Sequence, residues 1–387
     1  MLLEKEEKEM NETEFNEGVL KTYNRLPVFF EKGNGCYLYD KNKNPWLDFI
    51  SGIGVNNLGH SHPKLIKALK KQGEKLWHTS NLYYITPQGE LAKKISDLSF
   101  KGKTFFCNSG AEANESAIKL CRKWGNSISP QKNILLSLKQ SFHGRTLASI
   151  TLTGQPIYQK GFEPLPAAMQ YVEPNNMKDL EEKLTPQVAG LFLEVVQGEG
   201  GVVPLSKDFL QKARELCTKN QTLLVFDEVQ TGIGRTGKFF AYQHTNIKPD
   251  VLTLAKALGN GVPIGALHVK DEFAVLVPGD HASTFGGNFL ASFVALAVLK
   301  EIEKPLFLKQ VVQTGNFLKE GLLDLKKQFP QFISDIRGLG MMWGIVSSKA
   351  PEIFQKLFEK RILCTNIKNQ VIRILPPLIA QKKEINL

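Results

Sequence analysis

Residues 222–256 read TLLVFDEVQTGIGRTGKFFAYQHTNIKPDVLTLAK. Two apolar runs of strand length stand at its ends, TLLVF (222–226) and DVLTLA (250–255). Asp227 follows the first and Lys256 the second. Runs that are apolar at nearly every position, not at alternate ones, predict strands buried on both faces of a parallel sheet. Between them GIGRTGK (232–238) satisfies both a GxGxxG string and a GxxxxGK string. A phosphate-binding loop of the second kind needs Ser or Thr next, and Phe239 stands there. Either motif must also open a helix, and KFFAYQHTN shows no helical face. A glycine-rich turn near the ligand edge of the sheet is the expected reading.

The same alternation extends outward. TFFC (104–107), NILLSL (133–138), ASITLT (148–153), AGLFLEVV (189–196) and IGALHV (264–269) read as further strands. KDFLQKARELCTK (207–219) puts Phe209, Leu210, Ala213, Leu216 and Cys217 on one helical face. Helical spacing also marks 63–78, 87–98 and the stretch from Leu290 to about Phe329, and CYLYD-KNKN-PWLDF (36–49) reads as a hairpin. The expected fold is α/β: a large, mostly parallel, doubly wound sheet domain over 51–295. A smaller α+β domain over 296–387 is expected to pack with the N-terminal segment 1–50.

Of the 387 residues, 42% are apolar and 22% charged, the balance of a globular enzyme. The net charge of +11 comes from scattered pairs such as Lys70-Lys71 and Lys326-Lys327. Without one basic stripe interleaved with aromatics, no nucleic-acid partner is expected. The lead-in MLLEKEEKEMNETEFNEG is charged and expected to fray, and no apolar stretch is long enough to span a bilayer, so no membrane partner is expected. The five cysteines are dispersed and include no CxxC pair, which suits reduced, buried thiols and a cytoplasmic location. His60 and His62 lack a third companion, so no metal is expected.

Lys256 ends an apolar run, where an ammonium either snorkels outward or has a task. A strand-end acid such as Asp227 can cap a helix. Together, at neighbouring strand ends, they suit pyridoxal 5'-phosphate, which needs a lysine amine and a carboxylate facing its ring nitrogen. Asn108 to Asn114 (NSGAEAN) follows the strand TFFC and opens a helix. There Gly110 lets backbone N–H groups approach a phosphate at the positive helix end, although an ordinary Ser109-capped helix gives the same pattern. SFHGRT (141–146) offers Phe142 to stack on a ring and Arg145 to fork onto a carboxylate.

The long strings SGIGVNNLGHSHP (51–63), FCNSGAEANE (106–115), SFHGRT (141–146), EVVQGEGG (194–201), LLVFDEVQTGIGRTGKF (223–239), TLAKALGNGVPIGA (253–266) and STFGGN (283–288) occur in this order. In them the chain resembles the class-III, fold-type-I aminotransferases, and most closely the acetylornithine aminotransferases, from about Tyr23 to Leu378. The resemblance implies that Lys256 anchors the cofactor and Asp227 pairs with its ring nitrogen. It further implies that Ser109, Gly110 and Ala111 hold the phosphate, that Phe142 and Val229 cover the two ring faces, and that Gln230 reaches the ring hydroxyl, with Glu228 beside them. Arg145 would bind the distal carboxylate of N-acetylornithine. Ser283 and Thr284 would reach substrate and phosphate from a second copy in a homodimer. Glu199 and Arg373 resemble a switch pair in which Glu covers Arg until the α-carboxylate of glutamate or 2-oxoglutarate arrives; a plain structural salt bridge is the alternative. Ile53 stands where ornithine aminotransferases carry an aromatic residue. The expected activity is N-acetylornithine:2-oxoglutarate transamination in arginine biosynthesis. The alternatives are ornithine, succinylornithine or 4-aminobutyrate as donor, or an aminomutase of the glutamate-semialdehyde type.

Overall fold

The computed structural model describes residues 10–387. Its centre is a seven-stranded sheet in the spatial order Gly102–Cys107, Gly265–Lys270, Val251–Leu254, Leu223–Asp227, Val188–Leu193, Ile134–Leu138, Met169–Val172. Gly265–Lys270 is antiparallel to both neighbours, and the other pairings are parallel, so six strands share one direction. Alternate side chains go to opposite faces. Leu135, Phe192 and Val225 join one apolar cluster, while Leu136, Leu191, Leu224 and Phe226 join another. Both faces are thus covered, as the unbroken apolar runs require, and each large side chain buried in this way contributes about 1.5–3 kcal/mol.

The helix Gly110–Ile128 buries Ala113, Ala117, Leu120 and Cys121 against this sheet. The helix Lys207–Lys219 spans its expected bounds, with Phe209, Leu210, Ala213 and Cys217 buried. Two strand expectations fail, one wholly and one in part. ASITLT is not a strand but the helix Leu147–Leu152, started by reciprocal Thr146 and Ser149 caps and by Glu115, whose Oε1 accepts the Ser149 N–H at 3.1 Å. The strand that takes its place is the edge strand Met169–Val172, whose sequence MQYV is too short and mixed to signal itself. AGLFLEVV also stops as a sheet strand at Leu193; Val196–Gln197 turns away to pair with Val203–Pro204. Proline 305 divides the long helical stretch into Phe289–Ile302 and Pro305–Gln328.

The hairpin Tyr37–Asp40/Pro45–Asp48 forms as expected and pairs in parallel with Ile362–Leu363. A second sheet runs Ile333–Leu339, Met342–Ser347, Val371–Ile374, Thr365–Ile367. Cys36, Leu47 and Phe49 from the N-terminal side share one core cluster with Leu322, Trp343, Ile345 and Ile372. Of the charged lead-in, residues 1–9 lie outside the described ones. The rest is no frayed coil but the helix Glu12–Gly18, closed by a reciprocal Asn11–Glu14 cap. All five cysteines are free and buried.

Candidate active site

The topology brings three chain segments to one edge of the central sheet. Cys107 ends its strand opposite Gly265, and Asp227 ends its own opposite Thr253. Two residues beyond Leu254 the chain turns at Lys256, whose φ of +47° marks a tight bend. Gly265 makes the approach feasible, because a Cβ there would lie 2.2 Å from Ser109 O. Parallel sheets bind ligands at this edge. Here it borders a cleft of about 400 Å³.

Lys256 lines this cleft, and among the described residues its ammonium has no hydrogen-bond or ion-pair partner. Burial lowers its pKa, Glu199 and Asp227 oppose that shift, and the Arg373 charge adds to it. Asp227 is buried at the cleft wall. Its Oδ2 accepts from Asn114 Nδ2 at 2.7 Å and from His143 Nδ1 at 2.7 Å, and its Oδ1 accepts the Val229 N–H at 3.0 Å. Burial alone would raise its pKa, but these bonds, led by His143, outweigh it and keep the carboxyl below its ordinary value. An ionised carboxylate only accepts, so His143 carries a proton on Nδ1 and leaves the buried Nε2 without a partner among the described residues.

The helix Gly110–Ile128 points its N-terminus into the cleft. Ser109 Oγ accepts the Glu112 N–H at 3.2 Å, while the N–H groups of Gly110 and Ala111 precede the first intrahelical bond and stay free. A Cβ on Gly110 would come within 2.8 Å of Val229 Cγ1, so only glycine lets this helix end close over Val229. Phe142 lines the cleft as well, and Arg145 stands at its exposed rim with its guanidinium 3.9 Å from the Tyr158 ring centroid and no ion pair among the described residues. Glu199 Oε1 lies 2.6 Å from Arg373 Nη1, which also donates to Gln230 Oε1 at 3.2 Å, while Arg373 Nε donates to Thr365 Oγ1 at 3.1 Å. Burial would raise the Glu199 pKa, but Arg373 holds it below its ordinary value.

A free amine, an ionised carboxylate and a glycine-lined helix end meet here. They fit a pyridine aldehyde phosphate: an amine for the carbonyl, an acid for the ring nitrogen and N–H groups for the phosphate.

One expected residue, Glu228, lies elsewhere. Glu228 alternates to the far side of its chain segment, where its carboxylate accepts the N–H groups of Ala241 at 2.6 Å and Tyr242 at 2.8 Å. Burial raises its pKa to about 8, and its task is to cap a turn. Ser283 and Thr284 border a different depression, with Ser283 Oγ accepting from Asn108 Nδ2 at 3.3 Å, and they do not enter their own chain's cleft. Three other residues of the site carry no sequence signal of their role: Asn114, His143 and Glu194. They lie inside the quoted strings, but only the fold sets His143 and Asn114 against Asp227. Asn114 also heads an Asn-Glu-Ser glycosylation string, yet it is 1% exposed.

The glycine-rich turn after Asp227 is tied into the scaffold. Its Arg235 is fully buried and donates to Met341 O at 2.9 Å, Pro376 O at 2.5 Å and Asn57 Oδ1 at 2.5 Å, stapling three distant segments. His60 pairs with Asp48 at 2.6 Å, and no group of three metal-binding side chains occurs among the described residues.

Comparison with known proteins agrees with this geometry. The family model described as Aminotransferase class-III matches residues 19–387. The acetylornithine aminotransferase of Caldanaerobacter subterraneus subsp. tengcongensis is 47% identical over 371 residues, covering 95% of this chain and 94% of that protein. That of Aquifex aeolicus is 47% identical, with 95% and 96% covered. Among solved structures, the ornithine aminotransferase of Toxoplasma gondii superposes with a TM-score of 0.93 at 32% identity, covering 98% of this chain and 93% of that one. The N-acetylornithine aminotransferase of Stenotrophomonas maltophilia gives 0.82 at 34% identity, with 94% of each chain covered. Matched over nearly its whole length in sequence and in fold, the chain belongs to the class-III aminotransferases.

Proposed function

We propose that the enzyme moves the δ-amino group of N-acetylornithine to 2-oxoglutarate, releasing the semialdehyde and then glutamate in a ping-pong cycle within arginine biosynthesis. The observation that carries this reading is the contrast between two arginines: Arg373 lies under Glu199, whereas Arg145 at the rim has no carboxylate on it among the described residues. A donor whose reacting amine is remote from its α-carboxylate needs a free cation at a distance and a neutralised one nearby. Glutamate reacts beside its α-carboxylate, so it needs the near arginine uncovered. One carboxylate that swings off Arg373 serves both. The relatives named as acetylornithine aminotransferases support this donor, as does aliphatic Ile53 in SGIGVN.

Pyridoxal 5'-phosphate, when bound, supplies a carbonyl that takes up amines and a ring that withdraws electrons. In this reading Ser109 and the free N–H groups of Gly110 and Ala111 hold the phosphate. Phe142 and Val229 hold the two ring faces, and Gln230 reaches the ring hydroxyl. Asp227, kept ionised by His143, Asn114 and the Val229 N–H, holds a proton on the ring nitrogen. Lys256, with its pKa lowered, has neutral amine available to anchor the cofactor, and its Nζ then takes a proton from the substrate and returns it.

We assign the active form to a homodimer in the cytoplasm. Ser283 and Thr284 lie outside their own cleft, and Asn81 Nδ2 donates to Ser283 O at 2.9 Å beside the exposed Leu82, Tyr83, Tyr84 and Phe285. An apolar face of this kind suits a second copy, whose Ser283 and Thr284 would complete the cleft. Five free, buried thiols suit a reducing compartment.

The test is kcat/KM for N-acetylornithine, succinylornithine, ornithine and 4-aminobutyrate, with and without 2-oxoglutarate. The expected order puts N-acetylornithine first. A marked preference for free ornithine overturns the donor, and turnover without an oxoacid points to an aminomutase.

A further inference from the structure

Glu194 is the one acid of the cleft with no part in the steps above. It follows the strand Val188–Leu193 at the same sheet edge and is 6% exposed. Each of its oxygens accepts one backbone N–H: Oε1 that of Phe142 at 3.0 Å, and Oε2 that of Gly198 at 3.0 Å. Phe142 is the aromatic residue of the cleft, and Gly198 immediately precedes Glu199.

The turn that presents Glu199 is built from Gly198, Gly200 and Gly201, so few side chains of its own hold it in place. It is also tightly wedged. A Cβ on Gly198 would lie 2.1 Å from Gln230 Oε1, and one on Gly200 would lie 2.9 Å from Gln140 O. Arg337 Nε donates to Gly201 O at 2.7 Å and fixes the far end. At the near end Glu194 takes the Gly198 N–H, in addition to the reach of Gln230. Burial raises the Glu194 pKa to about 7. Above that pH the group accepts as a carboxylate, and since such hydrogen bonds are roughly twice as strong as neutral ones, this bond then outranks the turn's own backbone contacts. Glu199 meets Arg373 through a single oxygen–nitrogen contact. How firmly it stays there depends on where its turn is anchored.

We propose that Glu194 is a positioning residue that joins the Phe142 segment to the Glu199 turn, and so sets how tightly Glu199 covers Arg373 and how the enzyme balances its two amino donors. This rests on the gate reading of Glu199 above, and the test separates the two. In the full-length holoenzyme, the two half-reactions are measured separately, with N-acetylornithine and with glutamate, for wild type, Glu199→Ala and Glu194→Gln. Visible circular dichroism of the bound cofactor is recorded alongside.

The carboxamide that Glu194→Gln introduces can accept only one of the two N–H groups, because its NH2 faces the other. In Glu194→Gln the KM for N-acetylornithine should rise and that for glutamate should fall, moving their ratio by about tenfold, the worth of one such bond. The dichroism band should change as Phe142 shifts. Glu199→Ala should move the ratio in the same direction and further. If Glu199→Ala moves the ratio and Glu194→Gln leaves it unmoved, the coupling is wrong and Glu194 is merely structural. If Glu199→Ala leaves the ratio unmoved, the gate reading falls and this proposal with it. Should Glu194→Gln fail to fold, Glu194→Asp decides by the same ratio, since it keeps the charge but is too short to span both N–H groups.

Discussion

Two lysines stand at opposite edges of the same sheet, Lys132 buried and Lys256 half-buried in the cleft wall. Lys132 stands just before the strand Ile134–Leu138, among the amino ends of the parallel strands, and is 3% exposed. Its three N–H bonds are all used, on Pro186 O at 2.9 Å, Val188 O at 2.8 Å and Asn220 O at 2.7 Å. Lys256 stands just past the carboxyl end of Val251–Leu254 and has no acceptor among the described residues. Burial lowers both pKa values, so the direction of that shift does not tell them apart. The difference is satisfaction. A lysine held by three carbonyls closes a structure, whereas a lysine desolvated without partners keeps its amine free for a ligand.

The comparison breaks first at Lys256. Lys256→Ala should cut kcat by at least about 10³-fold, because nucleophile and proton carrier disappear together. Single-turnover kinetics would check this, and a variant retaining a tenth of the activity would end the assignment. Asp227→Ala should come next, lowering kcat by about 10²-fold or more as the ring nitrogen loses its carboxylate. A pre-steady-state measurement that finds the proton-transfer step unslowed would remove Asp227 from its role. Lys132→Met tests the other lysine. It leaves three buried carbonyls without a donor and should cost about 2–4 kcal/mol in urea unfolding, with kcat per folded molecule unchanged. Unaltered stability would mean the three bonds contribute nothing net.

These two lysines also mark what the sequence discloses and what it hides. Lys256 was legible because it ends an apolar run and has a partner, Asp227, at the end of another; strand ends of a parallel sheet share an edge whatever the loops between them do. Lys132 sits in a polar loop, SPQKN, and no local pattern says that its side chain turns inward to carbonyls 54 and 88 residues away. The same limit hid Asn114 and His143, which reach Asp227 across 113 and 84 residues. Glu228 failed for the opposite reason. The resemblance set it beside Asp227 in the cofactor site, but consecutive residues of an extended chain face opposite ways. ASITLT failed because β-branched composition favours a strand, while Thr146, Ser149 and Glu115 satisfy a helix start that composition does not register.

The smallest expected effect sharpens the contrast most. In the protein stripped of cofactor, the folded-state pKa of Lys256 lies below its ordinary 10.5. Between that lowered value and 10.5 the unfolded chain binds more protons than the folded one, so the native state gains stability as pH rises through this window and loses it as pH falls. Each unit of the shift is worth about 1.36 kcal/mol. Replacing Lys256 by Met removes this cost of hiding an ammonium. Lys256→Met should therefore stabilise the stripped protein most at neutral pH, and the advantage over wild type should shrink steadily toward pH 10.5. Lys132→Met should destabilise at every pH, since the three carbonyls lose their donor whatever the solution does. Urea titrations at several pH values between neutrality and about 10 would show the two variants on opposite sides of wild type. A Lys256→Met protein less stable than wild type at neutral pH would mean that the amine has partners after all, and the distinction between the two lysines would fail.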